Sequence, residues 1–249
     1  MPLLRTEHLT KAFGALTAVN DVTLSVETGS LHSIIGPNGA GKTTFFNLLT
    51  GQYAPTSGRI VFDERDIAGT PPPRIAHLGI ARSFQRTNVF PALSVLDNVW
   101  VAAFARGSWR GLAWRPAGRY PALAERALTA LREVGLEGRA DRPAREISHG
   151  EQRQLELAIA LAATPRLLLL DEPAAGLSPD ETHRMVQLVR SLKGRYTIVL
   201  VEHKMDVIMS ISDRISVMHF GSLIAEGTPA EIQRNAEVRR AYLGGIAAS

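Results

Sequence analysis

The sequence predicts an α/β protein with a mainly parallel sheet that carries a phosphate-binding loop. Three observations predict it. Residues 31–35, 167–170 and 197–201 are short, largely apolar runs without polar alternation, the pattern of strands covered on both faces. Ahead of the last two runs lie amphipathic stripes at i, i+3, i+4, i+7, formed by Leu155, Ala158, Ile159 and Ala162 and by Met185, Leu188, Val189 and Leu192. Finally, G-P-N-G-A-G-K-T at residues 36–43 matches G-x-x-x-x-G-K-[ST], which expects a strand, a glycine-rich loop and a helix starting at Lys42.

Taken in order, residues 3–8 and 22–26 alternate apolar and polar well enough to be strands, with a turn at Phe13-Gly14. Phe13 can stack on an aromatic ligand ring or pack a turn. The loop of Gly36, Pro37, Asn38, Gly39, Ala40 and Gly41, with Lys42, Thr43 and Thr44, is then a phosphate cradle. Its glycines let backbone N–H groups and the positive helix end approach an oxyanion. Lys42 should reach the β- and γ-phosphates, and the Thr43 hydroxyl should ligate Mg²⁺. The helix should stop near Gly51. A turn at A-P-T-S-G, a short strand at 60–62, a boundary at Pro71-Pro72-Pro73 and a strand from Gly79 to Phe84, ending on Gln85, follow.

From residue 93 to about 147 the character becomes helical, with Leu123, Ala127, Leu131 and Val134 at helical spacing. Within it, residues 106–120 interleave arginines with Trp109, Trp114 and Tyr120. Such a segment can bind nucleic acid, lipid headgroups or a partner protein; it reads here as a solvated irregular loop with packed aromatics. Near the end, Thr228-Pro229-Ala230-Glu231 is a capping box with proline at the first helical position, so one terminal helix should run toward Leu243.

At 249 residues the chain fits one large domain, or a domain with a substantial insertion. No apolar stretch approaches the ~20 residues of a spanning helix, and the N-terminus lacks a signal-peptide core, so a cytosolic protein is expected. The absence of cysteine excludes disulfides, thiolate metal sites and cysteine nucleophiles. A formal charge of +4 is too small at this length to argue for nucleic acid.

Asp171 and Glu172 end the run 167–170. Burying charge there is costly unless it is paired or holds a metal. Beside a phosphate cradle the first acid suits Mg²⁺, and the second suits accepting a proton from an attacking water. Ser148 and Glu151 form an S-x-x-E capping box, which accounts for both. It leaves Gly150 unexplained, because glycine weakens a first helical turn but leaves bare backbone for close approach.

The loop G-P-N-G-A-G-K-T-T, then Gln85, I-S-H-G-E-Q, L-L-L-L-D-E-P and V-E-H, in that order, resemble an ATP-binding cassette ATPase over nearly the whole chain. The resemblance implies a single domain over 1–249, with a nucleotide-binding core at 1–92 and 164–249 and a helical subdomain at 93–163. An N-terminal antiparallel β subdomain would complete the fold. It also implies a head-to-tail dimer with two ATPs at its interface. By position, Phe13 would stack on adenine, Gln85 would sense Mg²⁺ and water, Glu172 would be the general base, and His203 would contact the γ-phosphate. Asp171 would join Thr43 and Gln85 at the metal. Ser148, Gly150 and Glu151 would act on the partner's nucleotide and look idle in one chain.

His149 and Glu151 depart from the usual glycine and glutamine of the signature, and Ser178 stands where an aspartate often falls. With E-P-A-A-G-L-S-P, V-E-H-K-M and A-E-V-R-R-A-Y-L-G, these departures resemble the ATP-binding subunit of branched-chain amino-acid importers. That implies a second, non-identical ATPase subunit, two permease subunits and, indirectly, a periplasmic or extracellular binding protein. The location would be peripheral, on the cytoplasmic face of the inner membrane, with residues 106–120 facing the permease. Urea, short amides, aromatic acids or a lipid are the rival cargoes. A non-transport cassette acting on nucleic acid or ribosomes is the other alternative; it usually shows tandem cassettes or a long coiled coil, and neither is present.

Overall fold

The computed structural model describes residues 1–83, 89–106 and 120–243. β1 (Pro2–Phe13) and β2 (Leu16–Glu27) form an antiparallel hairpin around Gly14, and β3 (Leu31–Ile35) leads into the phosphate loop and α1 (Lys42–Leu49). β4 (Ser57–Phe62) and the short β5 (Arg65–Asp66) complete an antiparallel sheet in the order β2-β1-β4-β5. After α2 (Pro72–Leu78), Gly79 ends the helix at φ +108 rather than opening the next strand, which is β6 (Ile80–Ser83). Phe84 and Gln85 lie outside the described residues.

The helical stretch is real. α3 (Val95–Ala105), α4 (Pro121–Glu133) and α5 (His149–Ala162) share one core, in which Leu123, Ala127, Leu131, Leu155 and Ala158 are buried. Ile159 is only partly buried against it. Trp109 and Trp114 of the arginine-rich segment fall outside the described residues, whereas Tyr120 is buried and tilted against Trp100.

β7 (Leu167–Asp171), α6 (Pro179–Leu192) and β8 (Thr197–Val201) continue the alternation, and Ser178 and Glu181 form the capping box that opens α6. Then come α7 (Met205–Ile211) and a hairpin of β9 (Arg214–His219) and β10 (Ser222–Gly227). The second sheet runs β10-β9-β3-β8-β7-β6, parallel throughout except for β10 on β9. In β7, Leu168 and Leu170 face the helical core, while Leu167 and Leu169 face the core that contains Phe45 and Phe46. Both faces are therefore covered, which is why the run needs no polar alternation; each such leucine contributes about 2 kcal/mol.

The single terminal helix expected after Thr228 is two: α8 (Pro229–Arg234) and α9 (Ala236–Leu243). Asn235 divides them. Its backbone is extended, and its Oδ1 accepts from the N–H groups of Glu237 and Val238, starting a new helix.

His32 on β3 is buried with Nε2 2.8 Å from the Ser216 hydroxyl of β9. Burial lowers its pKa to about 4, helped by Arg214 and opposed by Glu226. Between that value and 6.5 the unfolded chain binds the proton that the folded chain refuses. Stability therefore rises with pH across this window and is lost as pH falls through it, by on the order of 3 kcal/mol. Denaturant unfolding of wild type and His32→Gln at pH 7.5 and 4.5 checks this: the substitution should flatten the fall, and parallel curves would refute it.

Candidate functional site

The phosphate loop is locked between the two sheets. Any Cβ at Gly36 would lie 2.2 Å from the Met218 carbonyl oxygen, and one at Gly41, with φ +100, would lie 2.2 Å from the Ala18 oxygen. The Gly221 N–H donates to the Ala40 carbonyl and the Asn20 N–H to the Gly221 carbonyl, so the β9–β10 turn bridges the loop and β2. Lys42 is buried, and its Nζ donates to the carbonyls of Gly36 (2.7 Å) and Pro37 (3.0 Å). Burial lowers the pKa of Lys42, while the charges of Glu172 and Asp171 pull it back up.

Asn38 to Thr44, Leu16, Ala18, Glu172 and His203 line a cavity of about 300 Å³. Thr43 is exposed within it. The cavity lies where parallel strands end: β3 delivers the loop, β7 delivers Asp171 and Glu172, and β8 delivers Glu202 and His203. Glu172 takes a left-handed backbone at φ +51, and its N–H donates to the Val201 carbonyl at 2.8 Å. That turn brings its Oε1 to 2.6 Å from His203 Nε2. An ionised carboxylate can only accept, so Nε2 carries the hydrogen.

Two residues that sequence reasoning left out support the groups at these strand ends. Glu202 is buried and accepts from the N–H groups of Ala174 (3.2 Å) and His203 (2.9 Å). Burial raises its pKa against those two bonds. Its signal was its place beside His203 at a strand end. Arg82 on β6 donates to Asp171 Oδ2 at 2.5 Å and to Asn47 Oδ1 at 2.6 Å. Nothing in its own segment marks an arginine for that role.

Other expected residues lie elsewhere. Phe13 is at the β1–β2 turn, with its ring edge-on to Tyr53 at 5.3 Å and Lys11 Nζ 5.0 Å above it, and it does not line the cavity. Pro37 lines an adjoining cavity, which shares Asn38, Gly39 and Ala40 with the first, together with His219, Phe220 and Arg240. Ser148, Gly150 and Glu151 line another, of about 440 Å³, at the start of α5. There Glu151 accepts from the Ser148 N–H and from Arg139, whose bond is the larger cause of its lowered pKa. Gly150 has a local reason as well, since a Cβ there would meet Glu181 Oε1 at 2.6 Å. Gln85 is outside the described residues.

The donor set suits a metal brought by a phosphate. Among the described residues no cluster of three His, Cys, Asp or Glu side chains could hold one. Thr43 and Asp171 offer hard oxygens of the kind that Mg²⁺ takes together with phosphate oxygens.

The profile of the ABC transporter family matches residues 19–175, and that of the branched-chain amino acid ATP-binding cassette transporter matches residues 222–248. The chain is 44% identical over 250 residues to the high-affinity branched-chain amino acid transport ATP-binding protein LivG of Salmonella typhimurium, covering 98% of each. It is 43% identical over 252 residues to the protein of the same description, BraF, from Pseudomonas aeruginosa, again covering 98% of each. Among solved structures, the ADP conformation of an ATP-binding cassette of an ABC transporter is similar with a TM-score of 0.88 at 33% identity, over 98% of this chain and 99% of that one. A dimeric bacterial ABC transporter cassette is similar with a TM-score of 0.77 at 26% identity, over 91% and 98%.

Gly36→Ala should cost roughly 2 kcal/mol or more, because backbone must move to admit the methyl group. Gly39→Ala, with φ +80 but nothing within 4 Å of its Cβ, should cost only about 1 kcal/mol of backbone strain. Denaturant titration of both variants separates the two, and equal losses would contradict the close approach.

Proposed function

The chain belongs to the ABC transporter family, and from that premise we propose that it is the ATP-hydrolysing subunit that energises uptake of branched-chain amino acids. One observation carries the mechanism: the phosphate loop, Glu172 and His203 face one cavity, with Asp171 buried close enough to act on Lys42. The cargo reading rests on the two relatives above and on the family match at residues 222–248.

ATP would lie with its phosphates along the loop, where Lys42 exchanges carbonyl partners for phosphate oxygens. Mg²⁺, held by Thr43 and Asp171 with Gln85, would neutralise charge on those oxygens. Glu172 accepts the proton of the attacking water as the water oxygen bonds to the γ-phosphorus and the bond to ADP breaks. His203 holds Glu172 through its Nε2–H and so sets the direction in which the carboxylate accepts. Glu202 fixes the backbone on either side of that pair. Phe13 would meet the adenine, and Ser148, Gly150 and Glu151 would close on the nucleotide of a second ATPase subunit. That assembly would sit on two permease subunits at the inner face of the membrane and receive cargo from a binding protein. Among the described residues no helix is long and apolar enough to cross a membrane.

Glu172→Gln should keep nucleotide affinity and lower the turnover rate by about a hundredfold or more. Lys42→Ala should instead raise the nucleotide Kd by about tenfold or more. Single-turnover hydrolysis and ATP titration on each variant separate the two roles; wild-type turnover by Glu172→Gln would remove it as the base. For cargo, uptake of labelled leucine, isoleucine and valine should be lost in a strain lacking this chain and return with wild type but not with Glu172→Gln. Unchanged uptake in a strain without redundant carriers would redirect the search to urea, amides and aromatic acids.

A further inference from the structure

Asp171 is buried to 2% exposure at the end of β7. A carboxylate in that position needs a counter-charge and a fixed orientation. Arg82 supplies both. One arm of its guanidinium donates to Asp171 Oδ2 at 2.5 Å, and the other donates to Asn47 Oδ1 at 2.6 Å. The same guanidinium lies 5.5 Å from the centre of the Phe46 ring, a cation–π placement, with its side chain 11% exposed. Asn47 is one helical turn beyond Thr43 on α1. Arg82 itself pairs with Leu169 across the β6–β7 ladder, so it reaches over the sheet face that packs on α1.

Given the ATPase reading above, on which this rests, we propose that Arg82 is a positioning residue that sets the orientation of Asp171 toward Mg²⁺. Its planar fork joins three parts that must keep register: the helix that carries Thr43, the strand that ends in Asp171, and β6. Lys42 is the alternative cation, since Asp171 already acts on its charge. Without Arg82 the carboxylate turns toward Lys42, and both the metal oxygen and the phosphate-binding ammonium are compromised. Lysine at position 82 offers a point charge without the fork, so it can reach one acceptor but not hold two in plane.

The test uses the full chain and a fluorescent ATP analogue, with affinity measured in EDTA and across a Mg²⁺ titration. The readout is the gain in affinity that Mg²⁺ confers, which general structural damage does not selectively erase. Arg82→Gln should reduce that gain by about tenfold, as is usual when a residue supporting a metal ligand is removed, and Arg82→Lys should restore part of it. In an Asp171→Asn background, Arg82→Gln should cause no further loss, because the group it positions is already changed. If Arg82→Gln fails to fold, Arg82→Lys with Asn47→Ala carries the comparison. A wild-type Mg²⁺ gain in these variants, or a loss additive with Asp171→Asn, would overturn the inference. Failure of the wild-type chain to bind the analogue at all would instead overturn the ATPase reading beneath it.

Discussion

Between the two sheets, the backbone of residues 36–41 lies so close to the carbonyls of Met218 and Ala18 that no side chain fits at Gly36 or Gly41. A loop meant to surround a polyphosphate with N–H groups has little hydrogen bonding of its own, so its shape must come from its neighbours. Here β9 presses from one side, β2 from the other, and the Gly221 N–H bond to Ala40 ties the loop to the hairpin turn. The antiparallel sheet and the parallel sheet thus meet on the one segment that neither could hold alone. This accounts for a β9–β10 hairpin more than 170 residues away in sequence being part of the loop's support.

The parallel strands then determine which side chains can join the loop. β3, β7 and β8 end side by side, and each hands over its functional group at the first residues past its apolar run. Groups at such strand ends are half desolvated, and their charges must be balanced locally. Three pairings do so: Asp171 with Arg82, Glu172 with His203, and Glu202 with the N–H groups of Ala174 and His203. Lys42 is drawn in both directions, destabilised by burial and stabilised by the two acids.

What could be read from the chain follows from how local each signal is. β3, β8, α5 and α6 were legible because their determinants are short: an apolar run, a capping box, a stripe of fixed period. The phosphate loop was legible because a backbone geometry demands particular residues at fixed places. β9 and β10 were not, since Arg214–His219 gains its identity from pairing with β3. Asn235 was missed for the opposite reason: one side chain, capping a new helix, outweighed a continuous helical pattern. Arg82 was invisible in its role because a pairing between strands distant in sequence leaves no spacing to read, whereas Glu202 had only its place beside His203 as a signal.

One chain holds two incomplete halves. The loop cavity is lined by Lys42, Glu172 and His203, whereas Ser148 and Gly150 line a separate cavity at the start of α5. In that second cavity the Glu151 and Glu181 carboxylates already lie against the helix start, with Glu151 held by Arg139 and Glu181 by Ser178 and Gly150. Arg184 lines the same cavity, so a triphosphate approaching there would meet two carboxylates and one guanidinium. In the proposed dimer, further positive charge would come from the other half-site through Lys42. In the head-to-tail dimer proposed above, the Lys42 loop of one chain would face the α5 helix start of the next, so the two cavities would meet the nucleotide from opposite sides. ABC cassettes work as dimers, and the division of the proposed nucleotide contacts between two cavities of a single subunit is a physical reason for it.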